Sequence, residues 1–219
     1  MTVASFASPM RPRIAIWLAI LAILAVLPFL SACGYNTIPT KEEQAKAAWS
    51  EVLNQYQRRA DLIPNLVETV RGYAQQEREV LEAVVAARAR ATQVQVSTGD
   101  LQDPAALQAF QDAQAGLTSA LSRLLAVVEN YPDLKSGQNF LALQAQLEGT
   151  ENRIAVARRD YIQAVQDYNL SLRTFPSVLW AKLWFTNNEP FANFTVSEDK
   201  MNVPEVNFGT GGNNSGNAN

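Results

Sequence analysis

The chain contains no histidine and a single cysteine, Cys33, among its 219 residues. A lone cysteine cannot form an intramolecular disulfide, and without histidine it lacks the usual partner for metal binding or nucleophilic catalysis. The same absence excludes serine–histidine–aspartate triads and the Glu-x-x-His metal sites of di-iron bundles, and no glycine-rich phosphate loop is present. The sequence therefore predicts a protein that is not an enzyme and that uses no cofactor or metal ion.

Clustered basic residues are also missing. The chain has 18 basic and 21 acidic residues and a net charge of −3, and these charges are spread through the predicted helices. Nucleic-acid-binding domains concentrate lysine and arginine on one face, so nucleic acid is excluded as a partner.

The single cysteine closes a motif that resembles the lipobox of bacterial lipoproteins, Leu30-Ser31-Ala32-Cys33. Two arginines, Arg11 and Arg13, precede an uncharged apolar stretch at positions 14–27, an order typical of a secretory signal. We therefore expect residues 1–32 to be removed as a signal peptide and Cys33 to become the lipidated N-terminus. The alternative is an uncleaved signal anchor, because the uncharged residues 14–32 come close to the roughly 20 residues that span a bilayer.

Both alternatives place the chain at a membrane. The positive-inside rule keeps Arg11 and Arg13 in the cytoplasm and puts everything after Cys33 on the exported face of the cell membrane, periplasmic or extracellular. In the cleaved form, acyl chains on Cys33 hold the protein to the lipid bilayer. Residues 33–39 are then expected to form the lipidated N-terminus and a linker.

Composition and apolar spacing predict an all-α domain over residues 40–185. Apolar residues recur every three or four positions, close to a heptad repeat, which favours an elongated antiparallel up-and-down four-helix bundle. Start and stop signals place the four helices at 40–63, 66–97, 103–131 and 137–174. In the fourth helix the spacing predicts four buried positions: Phe140, Ile154, Tyr161 and Leu172.

Pro64 decides where the first helix ends. A proline inside a helix loses one backbone hydrogen bond and costs about 3 kcal/mol or more, so a break at this residue is favoured. The alternative is a continuous kinked helix over residues 41–97, because the apolar spacing continues across Pro64.

The segment after the fourth helix contains two tryptophans, Trp180 and Trp184, with a single lysine between them. Tryptophan prefers the headgroup region of a membrane, so one interpretation is a membrane-interface role, and the other is packing against the end of the bundle. Four antiparallel helices would put this segment beside Cys33. Residues 186–208 are expected to form an irregular extension, and residues 209–219, rich in Gly, Asn and Ser, a disordered tail.

Three separated blocks resemble the LemA family and occur in that family's order. The blocks are QRRADLIPNLV at 57–67, ENYPDLK at 129–135 and LEGTENRI at 147–154. The resemblance covers residues 35–185 and implies an up-and-down helical bundle held at the membrane. It implies no known reaction.

Polar residues in and after these blocks are the candidate functional residues: Arg58, Arg59, Asp61, Asn65, Glu148, Glu151, Arg153 and Arg158. One interpretation is that they form ion pairs and caps that fix helix register, or a polar surface for a partner protein. The alternative is an active site. Convergence in one concave pocket would favour an enzyme, whereas pairing across helix seams would favour a structural role.

These observations predict a membrane-anchored, non-catalytic helical scaffold or adaptor of the bacterial cell envelope. Its expected partners are the lipid bilayer and an unidentified membrane or envelope protein, and self-association into a homo-oligomer is compatible with the sequence. The alternative function is an accessory subunit or an enzyme of envelope proteolysis or peptide processing that uses the carboxylates and arginines of the bundle.

Overall fold

The computed structural model describes residues 34–194 together with Ile16, Trp17 and Leu21. The predictions for the lipobox, for Cys33 and for the tail at 209–219 lie outside this part of the chain. Six helices are present between residues 34 and 194. They are α1 (Thr37–Arg71), α2 (Arg78–Gln93), α3 (Pro104–Val128), α4 (Pro132–Lys135), α5 (Gln138–Ser171) and α6 (Ser177–Leu183).

The helices α1, α2, α3 and α5 form an antiparallel bundle. Ion pairs of 3.0 Å between Lys41 and Asp167 and of 2.7 Å between Arg59 and Glu151 show that α1 and α5 run in opposite directions. With 35 and 34 residues these two helices match in length, and each extends over about 50 Å at 1.5 Å per residue. Because the described residues contain helices and no strand, the predicted all-α bundle is confirmed.

The predicted break at Pro64 is wrong. Helix α1 continues through the proline to Arg71, and the chain turns over residues 72–77 instead. The carbonyl of Ala60, which the proline cannot engage, accepts a 2.8 Å hydrogen bond from Nε of Arg88 on α2. A neighbouring helix therefore supplies the donor that proline lacks, which lowers the energetic cost of the interior proline. The alternative of one helix over 41–97 is also wrong, because α2 begins only after this turn.

This arrangement predicts that the two positions are coupled. Arg88→Met removes the donor to the buried Ala60 carbonyl and is expected to lower the free energy of unfolding by about 1–2 kcal/mol. In a Pro64→Ala background the helix regains a backbone donor, so the same change should have a smaller effect. Denaturant unfolding of the four chains measures the difference, and equal effects in both backgrounds would contradict the explanation.

The core consists of two apolar clusters separated by a polar layer. One cluster surrounds Trp49 and Tyr161 near the pole where α1 begins, and the other surrounds Leu66 and Leu124 toward the opposite pole. Along α1, α3 and α5 the change from one cluster to the other occurs at three buried polar residues: Arg59, Gln114 and Thr150. The layer therefore crosses the bundle at one level.

The seam predicted for the fourth helix is largely confirmed. Phe140, Ile154 and Tyr161 are buried on α5. Leu172 is only half-buried, because it follows the last residue of α5, where the bundle ends.

Ile154 gives a direct test of this face. Ile154→Ala is expected to lower the free energy of unfolding by about 2–5 kcal/mol, because the side chain is buried and its removal leaves a cavity. Ile162→Ala on the same helix is the matched control, since that side chain is exposed and its loss should change stability by less than about 0.5 kcal/mol. Thermal or denaturant unfolding measures both, and equal effects would show that the seam lies on another face.

Residues 186–194 pass along the outside of the bundle toward its middle. The backbone N–H of Ala192 donates to the Leu101 carbonyl, which precedes α3, at 2.7 Å. On the other side, the hydroxyl of Tyr161 on α5 donates to the Ala192 carbonyl at 2.9 Å. The pole at which α1 begins is called the lower pole. The segment therefore fills the part of the gap between α3 and α5 that lies nearest to this pole.

Candidate functional site

The side chain of Arg59 lies inside the bundle and connects the long helices. Its guanidinium donates to a Glu151 carboxylate oxygen of α5 at 2.7 Å, to the Thr118 hydroxyl of α3 at 3.2 Å and to the Gln114 side-chain oxygen of α3 at 2.6 Å. The Gln114 amide in turn donates to the Ala91 carbonyl of α2 at 3.1 Å. This network therefore fixes the register of α1, α2, α3 and α5 relative to one another.

The charges of this network are open to solvent on one side. The Arg59 side chain is 2% exposed, whereas its partner Glu151 is 47% exposed. The Tyr56 ring lies 5.0 Å from the guanidinium carbon, and burial raises the pKa of the Tyr56 hydroxyl, which therefore stays protonated at neutral pH. A buried guanidinium with an accessible carboxylate is suited to contact with a polar ligand from the side of Glu151.

A groove runs along this open side, because α3 and α5 do not pack closely against each other. Its lower part has a volume of about 580 Å³ and its polar lining includes Arg59, Asp112 and Arg158. Its upper part has a volume of about 480 Å³, and its apolar lining consists of four leucines, Leu66, Leu121, Leu125 and Leu147, with polar residues such as Gln144 and Glu148 at its edge on α5. Three residues line both parts: Thr118, Ser122 and Glu151. The α3–α5 groove therefore changes from polar to apolar along its length.

The described part of the chain's own extension, residues 186–194, reaches the lower mouth of this groove. The Asn169 side-chain oxygen accepts a 2.9 Å hydrogen bond from the backbone N–H of Phe191, and the Asn169 amide donates a 3.0 Å hydrogen bond to the Phe191 carbonyl. These two bonds hold the extended segment beside α5. The Phe194 ring then lies 4.4 Å from the guanidinium carbon of Arg158, which also lines the groove. The extension and the groove are therefore consecutive parts of one gap between α3 and α5.

Four of the eight candidate polar residues lie at the groove. Arg59 and Glu151 form the ion pair between helices, Arg158 lines the lower part, and Glu148 lines the upper part. The Glu148 carboxylate accepts a 3.0 Å hydrogen bond from Gln144 one turn away on α5. The arrangement thus holds one carboxylate in an ion pair and another in a hydrogen bond along its own helix.

The other four candidate polar residues lie outside the groove. Asp61 is exposed and accepts a 2.7 Å hydrogen bond from Gln57 on the same helix. Arg58, Asn65 and Arg153 are also exposed. The described residues contain no group of three or more His, Cys, Asp or Glu side chains that could hold a metal ion. The eight side chains therefore do not converge in one pocket as an active site requires.

Sequence reasoning missed Gln114 and Thr118, which complete the Arg59 network. The signal was present in the spacing of the third helix, where Phe110 and Leu117 are seven residues apart and Gln114 occupies the seam position between them. A polar residue at a seam position indicates a buried hydrogen-bonding partner.

The two tryptophans of the C-terminal segment lie at the pole where α1 begins. The Trp180 ring contacts Tyr35 with a centroid distance of 5.6 Å, and Trp184 lies 5.4 Å from Trp180. Trp180 is half-buried and Trp184 is exposed. The segment is therefore adjacent to Gly34, the residue that follows Cys33.

Among the helices of the described residues, none combines the length and the hydropathy needed to cross a membrane.

This fold and groove are those of a helical-bundle protein. The LemA family model matches residues 48–208, and the chain belongs to the LemA family. The resemblance found in the sequence blocks is therefore confirmed.

Two magnetosome proteins of Paramagnetospirillum magneticum (strain ATCC 700264 / AMB-1), MamQ 1 and MamQ 2, are similar to the chain. Each is 30% identical over 207 residues, which cover 86% of this chain and 75% of the relative. The magnetosome protein MamQ of Magnetospirillum gryphiswaldense is 28% identical over 184 residues, which cover 76% of this chain and 67% of the relative. The family and these relatives support a membrane-associated protein without catalytic activity.

Proposed function

We propose that this protein is a membrane-anchored, non-catalytic adaptor of the cell envelope that binds an extended segment of a partner protein in the α3–α5 groove. The observation that carries this proposal is the groove itself, which is open beside the Arg59–Glu151 ion pair. Lipidated Cys33 holds the adaptor on the exported face of the cell membrane, and the magnetosome relatives support the membrane association.

The extension supports an extended segment as the ligand. Residues 189–194 already occupy the lower part of the same gap, held by backbone hydrogen bonds to Asn169 and Tyr161. Extended segments bind in this way because main-chain hydrogen bonds give affinity and side-chain pockets give specificity.

The lining of the groove defines the chemistry of the segment. The polar part is lined by two carboxylates, Asp112 and Glu151, and by Arg158. Because Arg59 is buried, Arg158 is the basic group there that an acidic side chain of the partner would contact. The apolar part, lined by leucines, fits aliphatic or aromatic side chains a few residues further along the partner. The proposed ligand is therefore an extended segment with an acidic residue near Arg158 and apolar residues beside the leucines. The alternative role in proteolysis needs convergent catalytic side chains and gains no support from this geometry.

Site-specific photo-crosslinking in native membranes tests the proposal. A photoreactive residue in place of Ser122, which lines both parts of the groove, is expected to give a discrete adduct with a partner protein. Ser50 is the matched control, because both are exposed serines whose hydroxyl donates to the carbonyl four residues earlier, and Ser50 lies on α1. Adducts of equal yield at both positions would contradict a groove-specific partner.

A charge reversal tests the electrostatic part of the proposal. Arg158→Glu puts a negative charge at the polar end of the groove and is expected to lower the Ser122 adduct about tenfold or more through like-charge repulsion. Arg159→Glu on the exposed side of α5 is the control with the same change in net charge. An adduct formed instead with residues 195–208 of the same chain would identify an intramolecular occupant and contradict the adaptor function.

A further inference from the structure

The end of the bundle at which α1 begins carries exposed apolar side chains. Phe175 precedes α6 and is 73% exposed, Leu179 and Leu183 lie on α6, and Trp184 follows it with 64% exposure. These four residues, the apolar foot, are large side chains that a soluble surface would normally bury.

The foot has a fixed position relative to the start of α1. Tyr35 packs against Trp180 and Phe185, with ring centroids 5.6 and 5.4 Å apart. Gly34 has a φ of +135°, and a Cβ atom built there would lie 3.4 Å from the Pro176 ring and 3.5 Å from the Trp180 indole. The chain therefore approaches the foot closely, in a backbone conformation that favours glycine.

The position of the foot identifies its occupant. Cys33 directly precedes Gly34 in the sequence. In either form of the proposed membrane attachment, acyl chains on Cys33 or an anchor over residues 14–32, the chain enters the membrane one residue before Gly34. A bilayer surface that holds Cys33 therefore lies directly against the foot.

The charges around the foot fit a lipid surface. The two charged residues between Tyr168 and Asn188, Arg173 and Lys182, are both basic and both exposed. Of the carboxylates at the same pole, Asp167 forms an ion pair with Lys41, and Glu42 and Glu43 form ion pairs with Lys46. Basic side chains at the membrane surface are attracted to anionic headgroups, and tryptophan is enriched at the headgroup level. This combination of exposed apolar and basic side chains is typical of an element that lies in the membrane interface.

We propose that the apolar foot inserts into the interfacial region of the bilayer and, with Cys33, fixes the orientation of the bundle on the membrane. The inference rests on the membrane attachment contained in the proposed function, and it is independent of the partner protein. Because the foot and Cys33 both contact the membrane at the same pole, the long helices extend away from the membrane surface. The Glu151 side of the groove is then held about 30 Å from the bilayer, since 20 residues of α5 separate Glu151 from Ser171 at 1.5 Å per residue.

Tryptophan quenching by brominated lipids tests the depth of the foot. The full chain is reconstituted in phosphatidylcholine–phosphatidylglycerol vesicles with brominated acyl chains, in a background with Trp17 and Trp180 replaced by Phe. Trp184 is then the exposed reporter, and a chain that also carries Trp184→Phe gives the signal of the buried Trp49 for subtraction.

The matched control moves the reporter to the opposite pole. Tyr73 is 56% exposed in the turn after α1, so Tyr73→Trp combined with Trp184→Phe gives a reporter of similar exposure. Trp184 is expected to be quenched about threefold or more relative to this control, because 35 residues of α1 separate the poles by roughly 50 Å. Equal quenching of the two reporters would overturn the inference.

A second pair of variants tests whether the apolar side chains produce the insertion. Leu179→Ser with Leu183→Ser is expected to reduce Trp184 quenching, while Val85→Ser with Leu141→Ser, which also changes two exposed apolar residues, should leave it unchanged.

A chain that floats with the vesicles but shows no Trp184 quenching contradicts only the insertion of the foot. A chain that does not float with the vesicles overturns the membrane attachment, and this inference with it. Loss of the Ser122 adduct in a chain whose Trp184 is still quenched contradicts only the binding of a partner protein.

Discussion

Arg59→Ala is expected to lower the free energy of unfolding by about 3–5 kcal/mol. The substitution removes a long side chain that is 2% exposed and leaves a cavity at the level where the two apolar clusters meet. It also leaves the Gln114 side-chain oxygen without the donor at 2.6 Å. Equilibrium denaturation measures the effect. Arg58→Ala is the matched control, because that neighbouring arginine is exposed on the same helix and its removal should cost less than about 0.5 kcal/mol.

Variants that fill the cavity at Arg59 separate the contribution of the hydrogen bonds to stability from the contribution of packing. Arg59→Met restores volume but leaves Gln114 partly unsatisfied, whereas Arg59→Met with Gln114→Leu removes both buried members of the network. The Thr118 hydroxyl keeps its hydrogen bond to the backbone carbonyl of residue 114, and Glu151 is 47% exposed and stays hydrated. Replacing a buried polar network as a unit by apolar residues is often neutral or stabilising, so the double variant is expected to recover to within about 1–2 kcal/mol of the natural chain. An Arg59→Ala chain as stable as the Arg58→Ala chain would show that the network adds nothing to stability.

The same variants show whether the network serves binding. If the ion pair forms part of the polar end of the groove, the double variant should keep its stability and lose the Ser122 adduct. Retention of the adduct would assign Arg59 to register alone. The distinction is informative because Arg59 is buried and contacts the other helices, whereas Glu151 is accessible to a ligand.

Helix type and the buried faces were predictable because they depend on residues three and four positions apart. The spacing placed Ile154 and Tyr161 in the seam, and both are buried. The same spacing contained Arg59, which lies midway in the seven-residue interval between Tyr56 and Ile63. A local pattern therefore identifies the core positions, and it contains the position of Arg59, but it did not show that Arg59 is buried or that Gln114 and Thr118 are its partners.

Pro64 shows what local patterns omit. The cost of an interior proline depends on whether another group engages the carbonyl four residues earlier, and here Arg88 does so from a different helix. The extension shows the same limitation, because Phe191 is held by Asn169, 22 residues away in sequence. Both features depend on long-range hydrogen bonds, which composition and periodicity do not contain.

Trp49→Ala is the second substitution for which we expect a large effect, a loss of about 3–5 kcal/mol in the free energy of unfolding. Trp49 is fully buried on α1, and its ring packs against Phe110, Tyr161 and Phe194 with centroid distances of 5.4, 5.1 and 5.9 Å. Its indole N–H also donates to the Val96 carbonyl at 2.9 Å. Removal therefore creates a cavity shared by three helices, the turn before α3 and the extension.

Trp49→Phe keeps most of the aromatic packing and removes the indole donor, so it should cost only about 1–2 kcal/mol. The two variants differ further at the extension, because Phe194 packs on the ring that Trp49→Ala deletes. Limited chymotrypsin digestion at a temperature where both variants remain folded should therefore cleave near Phe191 and Phe194 faster in Trp49→Ala than in Trp49→Phe. Equal cleavage rates would show that Trp49 stabilises the bundle without holding the extension against it, since the remaining contacts of Phe191 with Asn169 and Tyr168 would then suffice.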